Sequence, residues 1–396
     1  MINILFAAHV AFILAFDYLP DTVATAVAGA LALGYALVVV SAWLRGRHLD
    51  LVRFLLPMAL IALSWAIGSI HWQFQQTAFP PDAAFAARQA SVFFSLLAML
   101  AARESLSVPV LKMAIAAVSL SALVHAVAMP RETLNATLRL APFSGGLHTS
   151  GYTIVANLLL LWNLHRNGNA GRLLTWGLGV VLLVLIWGNG VRTPLVVLLV
   201  YAMVEFGRRV SFSSLAALFL RLVAVLVGLA GLTWLVLGDV MQLSQFSSGR
   251  IANYAERFPI LAARDLTATL FGSGPGTDLL QTSVWWWDYK DSHSDILKYL
   301  WEGGLVGLVG LLIWFAMLAT YRRGPLLAAT IGLAFSSLIS NAILTRPNVA
   351  FLYFAMMAYT LARAEDLTTK SAHSRFDKLH PSPMPKDLTA IRFSQE

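Results

Sequence analysis

His293 lies in the stretch KDSHSDILKYLWEGGLVGLVGLL, from Lys290 to Leu312, where a charged segment turns into hydrocarbon. A histidine has an unperturbed pKa of about 6.5, so near neutral pH its ring can accept a proton from a hydroxyl. Asp291 or Asp295 can orient that ring. Taken alone, a histidine at a helix start is more often a boundary or capping residue. DSHSD is only a weak cation signal, and no second histidine or carboxylate set of metal-ligand spacing accompanies it. A metal and a cofactor are therefore not expected.

Arginines form the second group. Arg250, Arg257 and Arg264 are spaced by seven, which places them near one face of a helix. Arg192 lies in the tight turn GNGVRTP. Guanidinium forks suit phosphate oxygens and keep their charge in partly buried sites, so a lipid pyrophosphate is a fitting anion. Arg257 and Arg264 fit a solvated face, or pairing with Glu256 and Asp265, more readily. FGSGPG lacks the Lys-Ser/Thr of a nucleotide loop, and its glycines are read as permitting a tight fold. Within apolar runs, His9, Arg88, His125, Glu205 and Arg221 are ionisable and therefore candidates for function. Glu205 and Arg221 lie close enough to span ends to snorkel. Arg88 lies near the outer end of its span and can face the same cavity as Arg192.

The elements that must position these groups are membrane helices. The 396-residue chain is 58% hydrophobic and 12% charged, with a mean hydropathy of +0.71. A soluble domain carries about 25% charged residues, so the solvent of this chain is a bilayer. Long apolar runs between charge clusters predict an all-α, polytopic transmembrane helical bundle of about twelve spans. They centre on 3–16, 22–44, 54–70, 84–101, 108–128, 150–164, 173–189, 193–207, 215–237, 295–319, 325–342 and 348–363. There is no cysteine, which removes disulfides and thiolate metal sites. The first apolar run lacks a basic leader and a small-x-small site, and is read as a retained helix.

With the N-terminus placed in the cytoplasm, inner loops hold Arg45, Arg47, Arg53, Arg103, Arg166, Arg172, Arg208, Arg209, Arg322 and Arg323. The short outer loops hold Arg131, Arg139, Arg192 and Arg346. That bias favours both termini inside and explains the net charge of +8 without nucleic acid. A large outer loop, 238–294, then separates spans nine and ten. Its segment SGRIANYAERFPILAARDL reads as an amphipathic helix capped by Ser247 or Ser248 and kinked at Pro259. Trp285, Trp286 and Trp287 suit the membrane interface. Residues 1–363 form the membrane domain, and the polar, proline-bearing 364–396 is expected to be a disordered cytoplasmic tail.

Four segments carry a resemblance. FSGGLHTSGYTIVANLLLL at 143–161, GNGVRTPLVVLLV at 188–200, SSGR at 247–250 with LFGSGPG at 270–276, and SHSDILKYLWEGGLVGL at 292–308 follow one another in order on the expected outer face. Together they resemble the bacterial O-antigen ligase and O-antigen polymerase superfamily. Ser294 stands where the family commonly has asparagine. Tyr254 takes the place of an aromatic residue, often tryptophan, after the Ser-Gly-Arg. HTSG replaces the family's usual Pro-Asn.

The resemblance implies a metal-independent glycosyltransferase at the outer face of the inner membrane. Its donor would be a glycan on undecaprenyl pyrophosphate. A ligase passes that glycan to a saccharide acceptor such as lipid A–core; a polymerase passes it to another lipid-linked repeat unit. On this reading His293 is the base. Arg192 and Arg250, with Arg88, bind the pyrophosphate, and Asp291, Asp295, Tyr254 and Arg257 support them. A lipid-linked polysaccharide transporter (flippase) of similar span number is a rival, as is a membrane scaffold. No internal repeat of the transporter kind is evident.

Overall fold

The computed structural model describes residues 1–46, 48–74, 79–128, 132–134, 137–140, 143, 146–209, 249–283, 285–321, 324–341 and 343–379. Its helices are α1 (Ile2–Ala15), α2 (Asp21–Leu44), α3 (His48–His71), α4 (Ala83–Ala101), α5 (Val108–Ala128), α6 (Gly146–Arg166), α7 (Arg172–Asn189) and α8 (Arg192–Arg209). After these come α9 (Arg250–Ala262), α10 (Leu266–Phe271), α11 (Asp295–Thr320), α12 (Gly324–Ile339) and α13 (Pro347–Leu379). A three-residue hairpin, β1 (Glu132–Leu134) and β2 (Thr137–Arg139), joins α5 to α6.

Among the described residues six helices are long and apolar enough to cross a membrane: α2, α3 with its short extension, α4, α5, α7 and α11. Ile2–Ala15, Thr193–Glu205 and Pro325–Ile339 are shorter apolar helices. The chain is thus an all-α membrane protein. The sequence count of about twelve had included these shorter runs together with α6 and α13. The ninth expected span, 215–237, lies outside the described residues, as does 238–248 of the large loop. The expected disordered tail begins within α13, whose helix continues to Leu379; 380–396 lie outside the described residues.

Burial explains the arrangement. Val349 through Ala358 on α13 are fully buried, as suits a helix that is apolar all round. It packs between α4 and α6. By contrast, Leu33, Leu37, Val40 and Leu44 of α2 and Val127 of α5 are exposed. An apolar outer surface of this kind is stable against lipid and not against water.

The contact of α11 on α3 is built from glycine. A Cβ on Gly303 or Gly307 would lie 3.0 or 2.8 Å from Ser64 Oγ, and one on Gly310 would lie 2.9 Å from the Pro57 carbonyl oxygen. Small residues let membrane helices approach closely where hydrophobic drive is absent. Gly304 breaks the helix with φ 59°, and there the backbone of Leu270 and Gly272 presses in. This contact fixes the start of α11, where His293 sits.

Interhelical bonds define two ends. At one, Ser294 Oγ donates to the Leu338 carbonyl at 2.9 Å, Arg346 Nη1 to Thr149 Oγ1 at 2.7 Å, and Asn189 Nδ2 to the Leu140 and Leu147 carbonyls. At the other, Asn3 bonds Ser105 and Ser107, Arg166 pairs with Glu205, and the Arg53 guanidinium lies over the Tyr321 ring. The start of α1 and the far part of α13 share this second end.

Candidate active site

The start of α11 is closed by Ser294, whose Oγ accepts the Leu297 N–H. Ser294 therefore takes the capping role, which leaves the imidazole of His293 free for another. His293 itself has φ 54°, and is the one non-glycine residue with positive φ among the described residues. Such a conformation persists only where surrounding contacts enforce it, and it is common at functional sites.

Those contacts can be named. Nδ1 of His293 meets Asp291 Oδ1, and the same oxygen accepts the His293 backbone N–H at 3.2 Å. The other oxygen, Oδ2, accepts from Asn341 Nδ2 and lies 3.6 Å from Lys298 Nζ. Burial opposes the charge on Asp291. The Lys298 ammonium and the His293 contacts outweigh it and hold the carboxyl below the usual range. An ionised carboxylate on Nδ1 selects the tautomer with its proton there, which leaves the Nε2 lone pair for base chemistry on a side chain that is about a third exposed. The Trp285 ring centroid is 5.0 Å from the imidazole. Asp295, the other expected partner, is buried and gives its backbone N–H to the Ser340 carbonyl; the contact with Nδ1 is made by Asp291.

Helix α9 braces this loop. Its N-cap is Gly249 in the left-handed region, where serine had been expected; Ser247 and Ser248 lie outside the described residues. Tyr254 Oη donates to the His293 carbonyl at 3.4 Å, and burial pushes its phenol up to about 12. Arg257 is fully buried. It pairs with Asp278, donates to Asn253 Oδ1 at 2.8 Å and to the Lys290 carbonyl at 2.6 Å, and so is committed to holding the loop. Arg264 donates to the Trp301 carbonyl at 2.9 Å and stacks on its ring. The three arginines thus do not form one anion-binding face, and neither Arg257 nor Arg264 has the partner expected from sequence. Glu256 instead accepts from Ser283, and Asp265 caps α10 and bonds His71.

Arg250 differs. It opens α9, donates to the Ile339 carbonyl at 3.2 Å, and leaves Nε buried without a partner among the described residues. Arg192 opens α8, while its side chain lies outside the described residues. Arg88 is exposed on α4 and lines a cavity of about 590 Å³ with Thr149, Arg346, Asn348, His9 and Tyr35. His9 bonds Tyr35 Oη at 2.9 Å and stacks on Phe351, His125 bonds its own helix at Ser121, and Arg221 lies outside the described residues.

Four residues were missed as site candidates: Lys298 and Asn341, which hold Asp291 Oδ2, and Arg346 and His148. Arg346, counted from sequence only for orientation, bonds Thr149 and the Asn341 carbonyl. Among the described residues His148 has a buried, unbonded Nδ1; burial, with the charges of Arg346 and Arg250 close by, pushes its pKa down to about 3. His148 therefore joins Arg250, Arg346, Asp291 and His293 in one polar cluster. The HTSG that replaces the usual Pro-Asn was the available signal for His148.

The glycine loop is spent on support. Gly272, Gly274 and Gly276 have positive φ. The Ser273 and Gly274 N–H groups bond the Trp301 and Glu302 carbonyls, and the Gly276 N–H bonds Glu302 Oε1. Its donors face α11 and serve the fold. No protein-family model and no curated protein matches the chain.

Proposed function

We propose that the chain is a membrane glycosyltransferase of the O-antigen ligase type. It takes a glycan from undecaprenyl pyrophosphate and passes it to a saccharide acceptor such as lipid A–core, at the periplasmic face of a bacterial inner membrane. The observation that carries this reading is the His293–Asp291 pair at the same end of the bundle as Arg250, whose Nε is buried without a partner among the described residues. A base and a cation at one membrane end are what displacement of a lipid diphosphate requires.

In this mechanism Nε2 takes the acceptor hydroxyl proton as that oxygen attacks the anomeric carbon. The bond from carbon to the diphosphate oxygen breaks on the opposite face and inverts the centre. The diphosphate leaves with the electron pair, and Arg250, Arg192 and Arg88 stabilise its charge. Arg346, at the shared wall with Arg88, adds a further cation. The cavity lined by Arg88 suits a lipid that carries an anionic head.

The test uses purified protein in lipid nanodiscs with lipid-linked repeat units, with and without lipid A–core. Glycan loaded on core supports the ligase. Longer lipid-linked chains make the protein a polymerase. Unchanged covalent partners with lipid moved across the bilayer make it a transporter and overturn the proposal.

A further inference from the structure

Lys298 is five residues beyond His293, in the first turns of α11, and only 4% of it is exposed. A buried ammonium is costly unless it is paired. Its Nζ lies 3.6 Å from Asp291 Oδ2 and 3.5 Å from Glu302 Oε1, and it sits over the Phe85 ring of α4 at 4.4 Å. Glu302 is itself buried, and its Oε1 also takes the Gly276 N–H at 2.9 Å. One cation therefore joins the carboxylate behind His293 to the carboxylate that holds the glycine loop. Asn341 adds the remaining polar contact on Asp291 Oδ2.

We infer that Lys298 is a positioning residue for the His293 base, acting through Asp291. It keeps Asp291 ionised and fixed in direction, so that Asp291 holds the Nδ1 proton and the ring angle and leaves Nε2 for the acceptor hydroxyl. Two alternatives are weaker. A purely structural ammonium would need only Glu302, one turn away on the same helix, yet Lys298 spans both carboxylates. A substrate-binding role would need access, which its burial denies. This inference rests on the glycosyl-transfer reading of the site.

The experiment is a double-mutant cycle on transfer kinetics with Lys298→Met, Asp291→Asn and the pair, beside His293→Ala. If Lys298 acts through Asp291, each single change lowers kcat about 10- to 100-fold with donor KM unchanged. The double variant then loses no more than either single, because a shared function is lost once. Lys298→Arg, which keeps the charge, should recover part of kcat. Additive losses, or a normal kcat in well-folded Lys298→Met, would overturn the positioning role. So would a loss confined to KM. Melting temperature in detergent is read for every variant, and where Lys298→Met does not fold, Lys298→Arg against Asp291→Asn supplies the comparison. Undiminished transfer by His293→Ala sinks the underlying reading instead, so the two failures are separable.

Discussion

At the scale of single residues, burial divides the charged groups into those that build and those that remain available. Arg257 and Asp278 are both fully buried, so removing one leaves the other charged and unsatisfied. Asp278→Ala should cost about 3–5 kcal/mol, seen as a large fall in detergent melting temperature; replacing both with apolar residues of similar volume should cost less. His293 belongs to the other class. His293→Ala should cut transfer by about 10²–10⁴-fold, the usual worth of a general base, with membrane abundance and melting temperature unchanged. Normal transfer by that protein would remove histidine from the mechanism. Sequence could rank His293 because its type and place are local facts. It could not choose between Asp291 and Asp295, since the choice depends on a left-handed backbone at His293 itself. Arg257 was ambiguous for a similar reason: its partner is twenty-one positions away, across a loop.

At the scale of elements, the glycines of α11 do two different jobs. Gly303, Gly307 and Gly310 face α3, where an added methyl meets Ser64 or the Pro57 carbonyl. Gly307→Leu should therefore separate the two helices and displace the start of α11. The expected result is loss of transfer with a lowered melting temperature, whereas Leu305→Ala, on an exposed position of the same helix, should leave both nearly unchanged. Gly304 instead supplies a positive φ that no side chain adopts readily. The apolar period showed that these runs are helices, because membrane burial imposes length and hydropathy on every span. It did not show which face each glycine would serve, since that follows from the partner helix. The cap of α9 was misread for the same reason: a serine is the usual local signal, but Gly249 satisfies the turn by conformation. Continuation of α13 beyond the apolar run was likewise hidden by the polar composition of that segment.

For the whole molecule, the decisive question is which end of the bundle faces which solution. The cluster of His293, Arg250, His148 and Arg346 shares one end, joined by the bonds of Ser294 to Leu338 and of Arg346 to Thr149. The opposite end carries Arg53 near the start of α3, Arg103 between α4 and α5, and Arg166 and Arg172 at the facing ends of α6 and α7. An excess of short-loop arginine marks the cytoplasmic side, so the proposed site should face outward. The chain contains no cysteine, which makes it a clean background for single replacements. Ser283→Cys lies in the exposed loop near Trp286, and Gly168→Cys lies in the α6–α7 turn, although its positive φ makes that site strained. Gly171→Cys, with open space around its Cβ position, avoids the strain. A thiol reagent that does not cross membranes should label Ser283→Cys in intact spheroplasts at once, and Gly171→Cys only after permeabilisation. The reverse pattern would place His293 and the arginines in the cytoplasm, where an acceptor built on the outer leaflet cannot reach them. Equal labelling of both positions in intact spheroplasts would show that the two ends are not separated by a bilayer, and the helical bundle would then need a different membrane placement.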